Sequence, residues 1–254
     1  MTRHYVYRFY AELKGYKSKI WRRFEINGER SMAELGYALM LMFEMQASHL
    51  FCFRENLQDA LLADLRTRYT EAEIKKVWKK HSMADYAKNV RYELPSEEDY
   101  PNDHERIVDA RDARLSQIRR RAGWKLTFDY DFGDGWEVGL TLEDCARREA
   151  SLAKLPWVLE GEGYGIVEDV GGIGGLEELA KALKKGSGRE YKEFCDWLDS
   201  EALDLESFDI DDMNFRVKKL MRVYRELYEY NWEPTDYMLG ILLRKDQGKG
   251  SRGY

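Results

Sequence analysis

The chain has 254 residues, 44% of them hydrophobic and 35% charged, which is enough apolar material for a sizeable core. No stretch of 18 apolar residues occurs, so a membrane helix is excluded, and the opening MTRHYVYRFY has no leader-like apolar run. Three dispersed cysteines, Cys52, Cys145 and Cys195, form no C-x-x-C pair, which argues against a cysteine zinc site and points to a reducing compartment, the cytoplasm.

The net charge of −6 is unevenly spread. Residues 129–212 hold 23 acidic against 8 basic side chains, whereas the flanks are weakly basic. An acidic block of this kind repels phosphates, so nucleic acid is possible as a partner but disfavoured, and a protein partner is expected instead. The bland alternative is a solvated acidic face.

In chain order, residues 5–13 are β-branched and aromatic and read as an opening strand. Residues 20–26 alternate apolar and polar and read as a second strand, ended by Asn27 and Gly28. Ser31 with Glu34 three residues later is a capping box, and Leu35, Leu39, Met42 and Phe43 follow at helical spacing, which predicts a helix over 31–45. Residues 49–53 look like a third strand. The stretch 56–92 reads as helix-rich and charged, with Thr70 and Glu73 forming a second capping box, and 94–103 as a polar loop. A short helix is expected over 115–121. Residues 125–130 and 136–143 form the arms of a hairpin, and 146–155 is ambiguous. Helices follow over 176–184, 190–198, 213–230 and 234–243, and the tail from 246 is expected to fray. Strands first and helices later, at hairpin spacing, give an α+β class: a mostly antiparallel sheet with packed helices. The expected organisation is one unit over 1–220 carrying a helical insert at 56–103, followed by a helical C-terminal extension over 221–254.

The hairpin turn, FDYDFGDGWEV over 128–138, carries carboxylates where neutral turn formers are usual. Trp21-Arg22-Arg23 with the capped helix and Ser48-His49-Leu50, then Tyr130 to Trp136, then Glu168-Asp169-Val170-Gly171-Gly172, then Phe208-Asp209 with Asn214, occur in that order. Together these four segments resemble the plasmid pRiA4b ORF-3-like family. The resemblance implies an α+β fold and an accessory role linked to mobile genetic elements, and it assigns no catalytic residue. Two positions depart from the family pattern: Val138 stands where a histidine is frequent, and Val170 where a cysteine is frequent.

The leading functional expectation is therefore a non-catalytic binding protein. An alternative is a metal-dependent, phosphoesterase-like enzyme. Asp131, Asp134, Glu168 and Asp169 are its candidate residues, because hard cations such as Mg²⁺ or Mn²⁺ take clustered carboxylate oxygens. Asp131 and Asp134 are the expected ligands, with Trp136 and His49 completing the candidate site. Against this stands a plain turn in which Asp134 bonds backbone and Asp131 pairs with an arginine such as Arg22. His49 on its own reads as a structural hydrogen bonder. A third alternative is a nucleic-acid module using Arg119, Arg120 and Arg121, whose competing reading is a solvated surface.

Overall fold

The computed structural model describes residues 3–83, 86–95, 105–118, 121–149 and 154–242, without the side chain at 241. Eight strands form one open sheet: β1 (Arg3–Leu13), β2 (Trp21–Asn27), β3 (Phe51–Glu55), β4 (Asn89–Glu93), β5 (Glu105–Asp109), β6 (Lys125–Tyr130), β7 (Trp136–Glu149) and β8 (Trp157–Glu162). Their spatial order is β5-β4-β3-β6-β7-β1-β2-β8. Neighbours pair antiparallel except β4 with β5. Among the described residues seven helices accompany the sheet: α1 (Met32–Met42), α2 (Leu57–Arg66), α3 (Glu71–Trp78), α4 (Gly172–Lys185), α5 (Arg189–Leu198), α6 (Ile210–Tyr230) and α7 (Asp236–Leu242). This is the α+β architecture expected from the pattern of the sequence.

Period-two alternation sets the sheet's inner face. Tyr7, Phe9, Ala11 and Leu13 of β1 are buried, while Arg8, Tyr10 and Glu12 point the other way. The outer face is laced with ion pairs, among them Arg8 with Glu25, Arg23 with Glu143 and Arg54 with Asp129. Both halves of the capping box at Ser31 and Glu34 are present. Every α1 residue except Glu34 is buried, as befits a helix covered on all sides. Amphipathic α6 packs on it through a stripe that includes Met213, Val217, Leu220 and Tyr224. Layering runs sheet, α1, α6, and the core lies between them.

Several expectations are corrected. The third strand lies at Phe51–Glu55, two residues later than the apolar run suggests. β4 falls within the stretch expected to be helix-rich, because the charged side chains of an alternating strand hide a short buried pattern at Val90 and Tyr92. β5 and β8 were not legible. The expected helix over 115–121 is a single 3-10 turn at Leu115–Gln117. β7 continues through the ambiguous segment as far as Glu149, since β1 pairs along its length.

Candidate metal centre

The β3–β6 pairing places Phe51 opposite Tyr130, so the residues just before β3 lie beside those just after β6. The Asp131 N–H continues this ladder by donating to the Leu50 carbonyl at 3.1 Å. Asp131 then takes a left-handed conformation, with φ of 52°, one that aspartate tolerates better than most residues. The chain reverses over 131–135: the Gly133 N–H donates to Asp131 Oδ1 at 3.0 Å and the Gly135 N–H to the Asp131 carbonyl at 2.7 Å.

A second loop, over 163–171, arrives between β8 and α4. Arg22, fully buried, holds its start by donating to the carbonyls of Glu162, Gly163 and Tyr164, and its Nε donates to Met42 O. The Ile166 N–H donates to the Phe43 carbonyl. Glu168 is thereby drawn beneath the turn that follows α1. Its Oε1 accepts from the Gln46 N–H at 2.6 Å and from the Tyr130 hydroxyl at 2.7 Å. Its Oε2 is buried and has no hydrogen-bond partner among the described residues.

Three side chains from distant parts of the chain thus meet: His49, Asp131 and Glu168 offer ligand atoms that lie within 4.8 Å of one another. His49 Nε2 stands 3.6 Å from Asp131 Oδ2, 3.7 Å from Glu168 Oε2 and 3.7 Å from Asp169 Oδ1. These separations are too long for good hydrogen bonds. They are close to the roughly 3.4 Å between two ligands bonded tetrahedrally to one cation at ~2.1 Å. Asp169 differs from the others in being 77% exposed, so it sits at the rim.

The electrostatics follow from burial. Desolvation pushes the Glu168 carboxyl above the usual carboxylate range, opposed by the Gln46 and Tyr130 hydrogen bonds and by His49. Burial, with Glu168 beside it, raises the Tyr130 phenol as well, so Tyr130 is a hydroxyl donor to the carboxylate. The Ser48 N–H donates to the Tyr130 oxygen, and the Tyr228 hydroxyl donates to the His49 carbonyl. The site is therefore braced from β6, from the loop after α1 and from α6.

Other candidates are placed elsewhere. Asp134 lies outside the three-residue cluster: its Oδ2 accepts the Gly171 N–H at 3.3 Å, ahead of α4. Trp136 is fully buried in the core opposite Tyr130 on the neighbouring strand, with its indole N–H unpartnered among the described residues. Phe132 is 56% exposed, because the reversal at Asp131 ends the strand alternation before it. Arg22 donates to carbonyls rather than to Asp131. Arg121 is exposed, and Arg119 and Arg120 lie outside the described residues. The sequence reading put His49, Asp131 and Glu168 in one candidate site but named Asp131 and Asp134 as the ligands, and it missed the part of Tyr130. Only the strand order, with β3 beside β6, brings residues 49 and 131 together.

A family model described as "Plasmid pRiA4b ORF-3-like protein" matches residues 5–215. A relative called "Uncharacterized protein y4hQ", from Sinorhizobium fredii (strain NBRC 101917 / NGR234), is 30% identical over 135 residues, a match covering 52% of this chain and 66% of that protein, just under two thirds of its length. The crystal structure of a protein of unknown function, MM3350 from Methanosarcina mazei Go1, has a TM-score of 0.63 at 22% identity, covering 83% of this chain and 98% of the other. At that identity the likeness speaks for the fold alone. Among the described residues no helix is long and apolar enough to cross a membrane.

Proposed function

We propose that this chain, which belongs to the plasmid pRiA4b ORF-3-like family, binds one divalent transition-metal ion through His49 Nε2, Asp131 Oδ2 and Glu168 Oε2. The observation that carries this reading is the second oxygen of Glu168: a buried carboxylate oxygen without a hydrogen-bond donor, facing an imidazole nitrogen 3.7 Å away. A buried charge of this kind needs a partner, and a cation supplies one. An imidazole among the ligands favours Mn²⁺ or Zn²⁺ over Mg²⁺, which prefers oxygen alone. Asp169 is a fourth ligand available at the rim. The remaining positions stay open, as in sites that bind or activate something further.

The ligand set replaces the one expected from the sequence, since Asp134 is engaged with the Gly171 N–H and His49 takes its place. The wider frame is an accessory protein of mobile elements, working with a protein partner in the cytoplasm. The plasmid in the family's name supports the first part of that frame, and three free cysteines support the reducing compartment. The unit over 1–220, with an insert at 56–103 that carries α2, α3 and the strand β4, and the extension over 221–254 remain the proposed organisation, with a family match ending at 215 in its favour.

The test is thermal unfolding of the full chain after chelation and after addition of Mn²⁺, Zn²⁺ or Mg²⁺. A metal held by the native state alone at 100 times its Kd adds about 2.7 kcal/mol of stability. Mn²⁺ or Zn²⁺ raises the melting temperature, at one ion per chain by elemental analysis. His49→Ala, Asp131→Asn and Glu168→Gln each remove the rise. No shift with either metal at millimolar concentration retires the reading.

A further inference from the structure

One tyrosine touches all three residues of the cluster. Tyr130 is peptide-bonded to Asp131, its ring meets the His49 imidazole edge to face with centroids 5.7 Å apart, and its hydroxyl donates to Glu168 Oε1 at 2.7 Å. The side chain is fully buried at the end of β6, which fixes the place of the hydroxyl. The Ser48 N–H donates to the phenol oxygen at 3.2 Å, and the short contact to Glu168 takes the phenol proton.

The consequence lies in lone pairs. A carboxylate has about four acceptor sites, two on each oxygen. On Glu168 Oε1 both are taken, one by the Gln46 N–H at 2.6 Å and one by Tyr130. Oε2 has neither filled among the described residues. A cation therefore meets one oxygen of Glu168 and not two. Asp131 is less constrained, since Oδ1 accepts the Gly133 N–H and retains a second site among the described residues. Of the two donors that close Oε1, Gln46 gives a backbone N–H, so Tyr130 is the side chain that sets how Glu168 binds. Ions differ in what they ask of a carboxylate. Ca²⁺ gathers about six to eight oxygens and often takes both oxygens of one carboxylate. A transition ion bound with an imidazole is satisfied by fewer ligands, each giving one atom.

Resting on the metal reading above, we infer that Tyr130 is the positioning residue that sets the ion selectivity of the centre: its hydroxyl holds Glu168 to coordination through one oxygen, which favours Mn²⁺ or Zn²⁺ and handicaps Ca²⁺. Tyr130 acts through Glu168 and touches no metal itself.

The test measures the affinity of the full chain for two ions, Mn²⁺ by loss of the free-ion paramagnetic resonance signal and Ca²⁺ by competition with it. The wild type favours Mn²⁺. Tyr130→Phe keeps the ring and frees one site on Oε1. The ratio of Mn²⁺ to Ca²⁺ affinity then falls about tenfold, the lower end of what removing the partner of a ligating side chain costs. Tyr37→Phe is the comparison. That tyrosine is equally buried, and its hydroxyl donates to Glu229 Oε1 at 3.0 Å rather than to the cluster, so its loss leaves the ratio unchanged whatever it does to stability. A crystal structure of the Mn²⁺-loaded wild type gives a readout that needs no variant, with Oε2 on the ion and Oε1 still on the Tyr130 hydroxyl. Either both oxygens of Glu168 on the ion, or an unchanged ratio in Tyr130→Phe, overturns the inference and leaves the metal site standing. Absence of Mn²⁺ and Zn²⁺ binding in the wild type removes the metal reading and the inference with it.

Discussion

Two buried carboxylates lie either side of the turn that follows α1, and the protein treats them differently. Glu44 meets Arg216 of α6 at 2.6 Å, and both side chains are almost fully buried. Glu168 receives a phenol and a backbone N–H on one oxygen and, on the other, an imidazole at 3.7 Å but, among the described residues, nothing within hydrogen-bond reach. The first charge is balanced inside the fold by a permanently charged guanidinium. On the metal reading proposed above, the second is left for a cation. A closed pair ties α6 to the end of α1, whereas an open carboxylate is a place to bind. The contrast separates an acid paired inside the fold from one whose second oxygen meets no donor among the described residues, without recourse to burial, which is nearly the same for the two.

The largest test of that contrast breaks the closed pair. Arg216→Met takes the guanidinium away from the buried Glu44 carboxylate, so it lowers stability by about 3–5 kcal/mol. Adding Glu44→Gln to it recovers a large part of the loss, because the buried charge is then gone. Urea unfolding of the wild type, the single variant and the double variant measures both steps. If the single variant unfolds at the wild-type midpoint, the pair is not holding α6 to α1 as described.

Glu168→Gln has the opposite sign and a smaller size. Burial raises the folded-state pKa of Glu168, so the folded chain binds that proton more tightly than the unfolded chain does. Stability contributed by this group is then present below the ordinary glutamate value of about 4.3 and is lost as pH rises through the folded value. The groups facing it are His49, Asp131, Asp169 and Tyr130. At pH 7 without metal, the neutral amide removes the cost of the buried charge, and the melting temperature of Glu168→Gln lies above that of the wild type. The gain shrinks as pH falls through the raised folded value and is gone below about 4.3, where the carboxyl is protonated in both states. With Mn²⁺ the order reverses, since only the wild type keeps its ligand. A variant less stable than the wild type at pH 7 without metal would show that Glu168 is satisfied as it stands.

What the sequence disclosed follows the range of the interactions involved. The capping boxes at Ser31 and Thr70 and the hairpin before Trp136 are local, and they stand where expected. β5 and β8 depend on partners far along the chain, and their own residues carry little apolar alternation. For the site, Asp131, Glu168, Asp169 and His49 were all legible as candidates. Which of them come within reach of one point was not: residues 49, 131 and 168 meet because β3 lies beside β6 and because Arg22 fastens the loop after β8. Sequence proximity favoured Asp134 as the partner of Asp131. The tight turn between them aims the two side chains at different targets, Gly133 N–H for one and Gly171 N–H for the other.

Asp134→Asn is accordingly the smallest effect and the sharpest check on which acids form the site. Asp134 Oδ2 receives one N–H at 3.3 Å, from Gly171, the residue preceding α4, where no other side chain caps the helix. Its backbone is fixed by a separate constraint: a Cβ on Gly172, which has φ of 67°, would stand 2.5 Å from the Asp134 carbonyl oxygen, so the two loops touch there through main chain. Asparagine keeps an oxygen for the Gly171 N–H and gives up only the favourable charge at a helix N-terminus, worth about 0.3–1 kcal/mol. The melting temperature without metal therefore falls slightly, and the rise produced by Mn²⁺ stays the same size as in the wild type. The same substitution at Asp131 abolishes that rise, because Asp131 Oδ2 lies 3.6 Å from His49 Nε2 and its other oxygen is held by the Gly133 N–H, which fixes its aim. Loss of the Mn²⁺ response in Asp134→Asn, with Asp131→Asn responding normally, would move the metal to the other side of the turn and return Asp134 to the ligand set.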